Sequence, residues 1–525
     1  MTPGTGDGVP SPSGWVLAVD LGTTGLKVGA VAEDGRILAC EHTEIPTHFG
    51  DDGAVEQDPH FWWAAIAAGC RALVARPEID PAHVVGVALT GEYGSTVPVG
   101  VDGGPVAPCL IWADHRGRRW SQAAFGGPAS GYKPTAVPPF LRYTAGMPSP
   151  NGADPTGHAL YLRYGRPDVY AQVATLMEPT DYLGLRLTGI TAATPASMLA
   201  TWLTDNRPSA ASPVYVPKLL SLTRRDEAKL PPLRPTASVL GGVTDTAAQD
   251  LGIPAGVPVV CGVPDLHAAY VGAGALAQRR AHFSISTTSW VSAAVPGKKT
   301  DLLHQIASIP GVGPGKYLMV NNHETAGACL QWLRDGIDRP SEPLATYPEL
   351  LELAGTAAPG SGGVLFTPWL KGERSPVDDA FLRAAFLNVS LQTRRAELVR
   401  AVLEGVAHNM RWLVEAADKF AGARLDPIRA LGGGARSDLW CQIHADILGR
   451  PVERVADPAE AQVRGVALMA LVQLGRLTWA QAEERVPVDR VFSPDPATTP
   501  GYEHQYQAFA KAYGRLKSWY RFLNA

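Results

Sequence analysis

The chain has 525 residues, 46% of them hydrophobic and 18% charged, which is typical of a globular protein without large disordered regions. A formal net charge of -4 argues against a nucleic-acid binder, because such proteins carry a surplus of Lys and Arg. The six cysteines are scattered singly and lack metal-site or redox-pair spacing, which predicts reduced thiols in a cytoplasmic protein.

The length predicts at least two large domains. Residues 1–14, MTPGTGDGVPSPSG, lack the basic and apolar regions of a secretory signal, so we expect a disordered leader. The stretch of lowest charge, 251–277, is interrupted by three prolines and Asp265, so we expect no membrane span.

Residues 16–31, VLAVDLGTTGLKVGAV, predict a β-hairpin whose tip is rich in glycine. Its apolar first strand ends at Asp20, and apolar residues alternate again after the tip. The tip offers backbone N–H groups, hydroxyls and Lys27 to a phosphate, while Asp20 can hold a metal ion through water. An ordinary glycine-rich hairpin is the alternative, and the carboxylate at the strand end favours the phosphate site. The candidate phosphate-binding residues are Gly22, Thr23, Thr24 and Lys27.

Two further buried strands end in candidate site residues. Residues 84–89 run into Glu92 and Tyr93, at the strand end where α/β sheets bind ligands. Residues 257–260 lead to Asp265. The alternatives are a plain turn with a surface acid for Glu92 and a helix N-cap for Asp265, and capping is compatible with chemistry.

Trp112 stands beside a polar cluster at 113–116 and could stack on the C–H face of a sugar, although a core tryptophan is the alternative. Residues 126–156 are rich in Pro, Gly and Ser and predict a loop or insertion. Apolar periodicity predicts helices in the remaining segments, which are 61–74, 159–187, 394–420, 437–448, 463–475 and 501–525.

The second half repeats the pattern of the first hairpin in degenerate form. A strand at 282–285 is followed by Thr287 and Thr288 and by an apolar return at 290–295. The repeat suggests two similar lobes that face each other across a nucleotide. Three glycines, 432–434, then separate a strand from a helix, so a flat ring or a phosphate can approach the backbone there. A structural turn is the alternative.

The order of these segments resembles the FGGY family of carbohydrate kinases, within the actin-like ATPase fold, and is most similar to its xylulokinase-like members. The resemblance covers about 15–475 and rests on motifs that are specific in combination. They are AVDLGTTGLKVGAV from residue 18, TDYLGLRLTG from 180, VPDLHAAYVGAGA from 263, LFTPWLKGERSP from 365 and LGGGARSDLWCQIHADILG from 431.

The resemblance implies an α/β protein of two ribonuclease-H-like (actin-like ATPase) domains with an interdomain nucleotide cleft. The domains would cover 15–276, with the sugar and phosphate site, and 277–480, with the nucleotide site, followed by a helical tail at 481–525. ATP and Mg²⁺ are the implied cofactors.

The resemblance also implies a role for each motif residue. Asp265 would be the catalytic base and, with Asp20, would lie at the metal. Glu404 and His408, which could mimic a metal pair one helical turn apart, would be structural. The implied binding residues are Gly22, Thr23, Thr24, Lys27, Thr287 and Thr288 for phosphate, Gly433, Gly434 and Ser437 for adenosine, and Glu92, Tyr93, Trp112, Asp265 and Leu266 for substrate.

The chain departs from the xylulokinase pattern at sugar-contacting positions. Glu92, Tyr93 and Gly94 stand where those kinases usually carry Gln-Met-His, and Leu266 stands where they carry Asn. Thr287 replaces a usual glycine of the phosphate loop. We therefore expect an ATP-dependent kinase of a ketopentose such as xylulose, with another ketose, a polyol or a deoxy-sugar as the alternative.

Two other classes stay open from sequence. A chaperone-type or filament-type actin-like ATPase would share the hairpins but would not need Asp265 beside an aromatic pocket. A catalytically silent, sugar-responsive regulator is disfavoured by the intact Asp20 and Asp265. The expected partners are a small-molecule sugar and ATP, without nucleic acid or membrane, and a homodimer is left open.

Overall fold

The structure is a computed structural model that describes residues 14–128, 131–208, 212–313, 317–337 and 345–524. Of the expected leader at 1–14, all but Gly14 lies outside the described residues. The chain divides into two compact units, Met1–Gly272 with Gln462–Arg485 and Ala273–Ala461 with Val486–Ala525.

The strands and helices of the first segment, in chain order, are as follows. The strands are β1 (Trp15–Leu21), β2 (Gly25–Ala32), β3 (Ile37–Glu44), β4 (His48–Phe49), β5 (Val55–Gln57), β6 (Val84–Gly91), β7 (Val97–Val99), β8 (Cys109–Leu110), β9 (Gly126–Gly127), β10 (Gly131–Tyr132), β11 (Thr175–Met177), β12 (Val239–Gly242), β13 (Pro258–Val260) and β14 (Val263–Pro264). The helices are α1 (Pro59–Val74), α2 (Arg118–Phe125), α3 (Val137–Tyr143), α4 (Pro155–Gly165), α5 (Pro167–Gln172), α6 (Pro179–Thr188), α7 (Pro217–Thr223), α8 (Asp245–Leu251) and α9 (Asp265–Gly272).

The main sheet of the first unit has the order β12-β13-β6-β1-β2-β3, with β14 also beside β6. The first three strands of the chain form an antiparallel meander, whereas β6 runs parallel to β1. All seven residues of β1 are buried, as expected for a central strand covered on both faces.

Helix α1 shows how the sequence covers this sheet. Asp58 caps the helix by accepting the backbone N–H of His60, and Pro59 occupies the first turn. The helix approaches β2 so closely at Gly69 that a Cβ there would lie 3.0 Å from a methyl group of Val28. A larger residue at this position would push the helix away from the sheet.

The second segment has its own set of strands and helices. The strands are β15 (Ala281–Ile285), β16 (Ser289–Val295), β17 (Thr300–Asp301), β18 (Ile306–Pro310), β19 (Tyr317–Val320), β20 (Leu365–Thr367), β21 (Ala385–Leu387), β22 (Ile428–Leu431), β23 (Val452–Val455) and β24 (Val488–Phe492). The helices are α10 (Gly327–Trp332), α11 (Tyr347–Gly355), α12 (Arg395–Ala421), α13 (Asp438–Leu448), α14 (Ala461–Gln473), α15 (Trp479–Glu484) and α16 (Thr499–Asn524).

The main sheet of the second unit has the order β17-β18-β19-β16-β15-β22-β23-β24. Here β15 pairs antiparallel with β16 and parallel with β22, so the centre repeats the arrangement of β2, β1 and β6. The 27-residue helix α12 packs against β16, β20 and the neighbouring helices. Each unit therefore has the sheet centre expected of a ribonuclease-H-like domain.

Two stretches are more broken than the sequence pattern predicts. The expected helix at 159–187 lies across α4, α5 and α6 and includes the strand β11. Each of these helices starts with a proline, which is favourable in the first turn of a helix and ends a preceding one. The expected loop at 126–156 contains β9, β10 and α3.

Gln462–Arg485 packs with the first unit, although we expected a second domain at 277–480 and a tail at 481–525. A Cβ on Gly29 would lie 2.5 Å from Val463, and one on Gly86 would lie 2.7 Å from Leu474. Helix α14 thus packs on two central strands of the first sheet. The sequence predicts this helix but carries no local sign of which sheet it covers.

Candidate functional site

Three acidic residues follow neighbouring strands at one edge of the first sheet. Asp20 is aligned with Thr90 in the parallel pair β1 and β6, and Val263 of β14 is aligned with the same threonine. The Thr90 hydroxyl donates to the Val263 carbonyl at 3.0 Å, which ties the two strand ends together. Glu92 and Asp265 follow these strands directly, so the structure brings the predicted acids of this unit together.

The turn between β1 and β2 has the form of an anion cradle. The Gly22 amide closes the turn on the Gly25 carbonyl at 3.0 Å, and a Cβ on Gly22 would approach that oxygen to 2.9 Å. Within the described part of the chain, the amides of Thr23 and Thr24 donate to no protein acceptor. Two amides and two hydroxyls are thus available at the turn, as a phosphate site requires.

The charges beside this turn act on Asp265. Lys27 Nζ lies 3.0 Å from Asp20 Oδ2. Burial raises the pKa of Asp265 to about 7, the charge on Asp20 raises it further, and the Leu266 amide and Lys27 lower it. A carboxylate with a pKa near neutrality can take a proton and release it again, so Asp265 suits a general base. It is also the first residue of α9, so the helix-start alternative coexists with the catalytic one.

The predicted sugar-contacting residues form a hydrogen-bonded group. The Ser95 hydroxyl donates to Glu92 Oε2 at 2.8 Å and accepts the Trp112 backbone N–H at 3.0 Å. Glu92 is buried and its Oε1 has no hydrogen-bond partner. Burial raises the pKa of Glu92 to about 7, Ser95 opposes the rise and Asp265 adds to it.

The remaining predicted sugar-contacting residues differ in exposure. Trp112 is 46% exposed, which excludes the core-tryptophan alternative. Tyr93 is partly buried, and Leu266 is buried. Gly94 has a φ of +88°, and a Cβ there would lie 3.6 Å from the Trp112 Cβ.

Sequence reasoning missed Glu178, which supports this group from behind. Its Oε2 accepts the backbone N–H groups of Gly94 at 3.0 Å and Ser95 at 3.3 Å. Glu178 is buried, and burial together with the charge on Glu92 raises its pKa well above the usual range. An acid inside a predicted helical span was the only available signal, and Pro179 marks the helix start that places it.

The predicted phosphate and adenosine residues of the second unit lie on two turns at one sheet edge. Ser284 of β15 is aligned with Leu431 of β22, so the turn carrying Thr287 and Thr288 and the glycine turn leave the sheet together. Thr287 is exposed, and its carbonyl accepts the amide of Ala326 at 2.9 Å. The structure therefore brings these two predicted groups together within the unit.

The three glycines have different structural roles. Gly432 has a φ of +90°, and a Cβ on Gly434 would lie 2.4 Å from the side chain of Ile285. A Cβ on Gly433 would meet nothing within 4 Å. Packing thus explains two of the three glycines, and Gly433 alone faces open space. Ser437 caps α13 by accepting the backbone N–H of Trp440.

Glu404 and His408 take part in packing and in an internal ion pair. Arg400 Nε lies 2.7 Å from Glu404 Oε1, and the Tyr502 hydroxyl donates to the same oxygen at 2.7 Å. The His408 ring is buried and stacks on Phe509 with 5.8 Å between ring centroids. The two side chains serve the interior of the second unit, in agreement with the structural role that the resemblance implies.

The donor set around Asp20 fits a magnesium ion. Mg²⁺ prefers oxygen ligands and is commonly held by one or two carboxylates together with phosphate oxygens and water. Asp20 and Asp265 interact electrostatically and supply such oxygens. Over the described ranges there is no group of three or more His, Cys, Asp or Glu side chains that could hold a metal by itself.

No helix in the described part of the chain is both long enough and apolar enough to cross a membrane. All six cysteines are free, and five of them are buried.

Known proteins share both the sequence and the fold of this chain. It is 27% identical to the xylulose kinase of Staphylococcus epidermidis over 513 residues, covering 96% of this chain and 97% of that protein. It is 26% identical to the glycerol kinase of a Nostoc species, covering 92% and 94%. The crystal structure of xylulose kinase from Rhodospirillum rubrum superposes with a TM-score of 0.82 at 26% identity, covering 97% of this chain and 100% of that one.

These likenesses confirm the predicted fold of two ribonuclease-H-like, actin-like ATPase domains and the predicted reaction class. Residues 15–272 match the N-terminal domain of the FGGY family of carbohydrate kinases, and residues 286–474 match its C-terminal domain. The chain therefore belongs to the FGGY family of carbohydrate kinases and is a phosphotransferase with an alcohol group as acceptor.

Proposed function

We propose that this kinase transfers the γ-phosphate of ATP to a hydroxyl of a ketopentose such as xylulose, with Asp265 as the base. The observation that carries the proposal is the position of Asp265 beside Asp20 and the phosphate turn, with a pKa raised to about 7. A sugar hydroxyl is a poor nucleophile, so a carboxylate must orient it and take its proton as attack proceeds.

The other task of the site is to neutralise charge on the transferred group. In our proposal, Lys27, the amides of Thr23 and Thr24 and the two threonine hydroxyls contact the γ-phosphate oxygens. Preorganised donors of this kind stabilise the charge that develops during transfer. A magnesium ion held by Asp20 and Asp265 would supply further positive charge to the phosphates.

We assign the nucleotide to the second unit in the same proposal. The open face at Gly433 would border the adenosine, and Gly434 and Ser437 would shape that border through packing and capping. Thr287 and Thr288 would contact the phosphates from their turn. The exposure of Thr287 supports this role, because its side chain is accessible to a ligand.

Xylulose is the favoured substrate because kinases of that name match nearly the whole chain, including the one from Staphylococcus epidermidis. The buried carboxyl of Glu92, with a free Oε1, would bond one of the sugar hydroxyls. A buried group of this kind discriminates strongly against a sugar that lacks the matching hydroxyl.

A polyol or a deoxy-sugar is the second candidate. Gly94 carries no side chain and Leu266 is apolar, so both positions offer nothing to a hydroxyl. The likeness to a glycerol kinase of Nostoc is compatible with a substrate that has fewer hydroxyls. Another ketose remains a third member of this group.

The test is ADP release by the purified protein with ATP and Mg²⁺, measured against xylulose, other ketoses, gluconate, glycerol, larger polyols and deoxy-sugars. We expect one group to stimulate turnover far above ATP alone, with a phosphorylated product found by mass spectrometry. Preference for a polyol or a deoxy-sugar would select the second candidate. Turnover without stimulation by any of these compounds would overturn the proposal and favour an actin-like ATPase, and binding without turnover would favour a regulator.

We also propose that the protein acts in the cytoplasm, supported by its six free cysteines. Whether it forms a homodimer stays a prediction that sedimentation velocity would test.

A further inference from the structure

A continuous series of hydrogen bonds joins the predicted sugar site to the phosphate turn. Ser95 Oγ donates to Glu92 Oε2 at 2.8 Å and accepts the Trp112 backbone N–H at 3.0 Å. The indole Nε1–H of Trp112 then donates to Thr23 Oγ1 at 3.0 Å. Only two residues, Ser95 and Trp112, separate a buried acid of the sugar site from a hydroxyl of the phosphate turn. We call these four residues the Ser95–Trp112 bridge.

One end of the bridge is fixed within the protein. Glu178 Oε2 accepts the amides of Gly94 and Ser95, which holds the backbone on which the Ser95 hydroxyl stands. Glu178, Glu92 and Ser95 are all buried. This end therefore cannot adjust without leaving a buried polar group unpaired, a cost that proteins avoid.

The other end is open to solvent. Trp112 is 46% exposed and Thr23 is partly exposed. The Thr23 backbone is already held, because Gln57 Nε2 donates to its carbonyl at 2.7 Å. What the indole adds is a contact to the Thr23 hydroxyl, so it sets the direction in which that hydroxyl points.

We propose that the Ser95–Trp112 bridge couples sugar binding to phosphate binding, because a sugar that packs on the exposed indole fixes the ring and thereby the Thr23 hydroxyl. This inference rests on the proposed function, since it requires a sugar at Glu92 and Trp112. Ser95 is a positioning residue in this arrangement: it acts through Glu92 and Trp112.

The coupling is reciprocal by thermodynamic linkage. If the sugar orders a donor for the phosphate, the sugar raises the affinity for the nucleotide, and the nucleotide raises the affinity for the sugar by the same factor. A purely structural hydrogen bond would change stability without changing this factor. The factor is therefore the quantity to measure.

The experiment is calorimetric titration of the full-length protein with a non-hydrolysable ATP analogue and Mg²⁺, with and without saturating sugar. The probe is xylulose or, if the wild type does not phosphorylate xylulose, the compound with the highest kcat/KM in the activity test. We expect the sugar to tighten analogue binding by at least about fivefold in the wild type, a typical allosteric factor.

Three variants interrupt the bridge at different points: Ser95→Ala, Trp112→Phe and Thr23→Val. Each should reduce the factor to within about twofold of unity, and Trp112→Phe combined with Thr23→Val should be no worse than either alone, because both remove the same contact. Thr23→Ser keeps the hydroxyl and should retain the coupling. Ser121→Ala is the matched control, since this buried hydroxyl makes no hydrogen bond.

The outcomes separate this inference from the proposed function. An unchanged factor in Thr23→Val, or additive losses in the double variant, would overturn the bridge while wild-type sugar phosphorylation leaves the proposed function intact. A wild type without any coupling would also overturn it. If the wild type phosphorylates no sugar, the proposed function fails first and the inference fails with it.

Discussion

Lys27 Nζ lies 3.0 Å from Asp20 Oδ2, across the hairpin that begins the first unit. The two residues are paired in register on β1 and β2, so the contact follows from the strand pairing itself. Both charges act on the pKa of Asp265, in opposite directions. The phosphate turn and the proposed base therefore form one electrostatic unit.

Asp265→Asn should abolish phosphoryl transfer while the fold, ATP binding and sugar binding stay largely intact. Asn keeps the shape of the side chain but cannot accept the hydroxyl proton, so we expect a rate loss of about 10²- to 10⁴-fold, or roughly 3–5 kcal/mol of barrier. Single-turnover phosphorylation, with binding titrations of both substrates, measures this.

Asp245→Asn is the matched control for Asp265→Asn, because Asp245 is also the first residue of a helix, α8. It should leave the rate unchanged. If Asp265→Asn keeps more than about a tenth of the wild-type rate, a barrier change of only ~1.4 kcal/mol, Asp265 is not the base.

The pH dependence of kcat/KM for the sugar should report the ionisation of Asp265. The base works when deprotonated, so activity should rise with pH through a pKa of about 7. Lys27 lowers that pKa, so Lys27→Met should move the limb to higher pH and also weaken ATP binding. Lys218→Met, which changes an exposed lysine, should not move it. A limb that stays in place in Lys27→Met would separate Lys27 from the base.

Glu92→Gln should stabilise the protein more at high pH than at low pH. Burial raises the pKa of Glu92 from 4.5 to about 7, so between these values the folded state binds more protons than the unfolded state. Wild-type stability therefore falls as pH rises through this window, and Gln removes the loss. We expect a gain about 2 kcal/mol larger at pH 8 than at pH 5.5, measured by urea unfolding.

The same variant should change discrimination among sugars more than it changes ATP affinity. A stability gain that is independent of pH would show that Glu92 titrates normally in the folded protein. Equal losses for every sugar, together with weaker nucleotide binding, would remove Glu92 from the sugar site.

Gly433→Ala and Gly434→Ala should affect different properties, although the residues are neighbours. A Cβ on Gly434 would lie 2.4 Å from Ile285, so we expect Gly434→Ala to cost about 1–3 kcal/mol of stability. Gly433→Ala meets nothing within 4 Å and should leave the melting temperature unchanged while raising the KM for ATP. Unaltered ATP kinetics in Gly433→Ala would place the adenosine elsewhere.

Local sequence patterns were sufficient for the parts of the site that lie on one strand and its following turn. The hairpin at Asp20, the strand before Glu92 and the glycine turn all follow from apolar runs, glycines and hydroxyls that are close in sequence. The family resemblance supplied the role of Asp265. These elements were predictable because the sequence neighbours are also the structural neighbours.

The support of the site was not predictable in this way. Glu178 bonds the amides of Gly94 and Ser95 from 84 and 83 residues away. A buried acid inside a helix-like segment has no signature, because its partner is backbone, which is the same in every residue. The roles of Gly432 and Gly434 likewise depend on Ile285, on another strand of the sheet.

The return of Gln462–Arg485 to the first unit means that this unit is made from two separate parts of the chain. During synthesis, its sheet must wait for more than half of the sequence before α14 can cover it. At Gly465 a Cβ would lie 1.9 Å from the carbonyl of Ala268, so this helix and α9 meet backbone to backbone. A fragment that ends at Gly272 would expose that surface, and useful dissection of this kinase requires joining residues 1–272 to 462–485 with a linker.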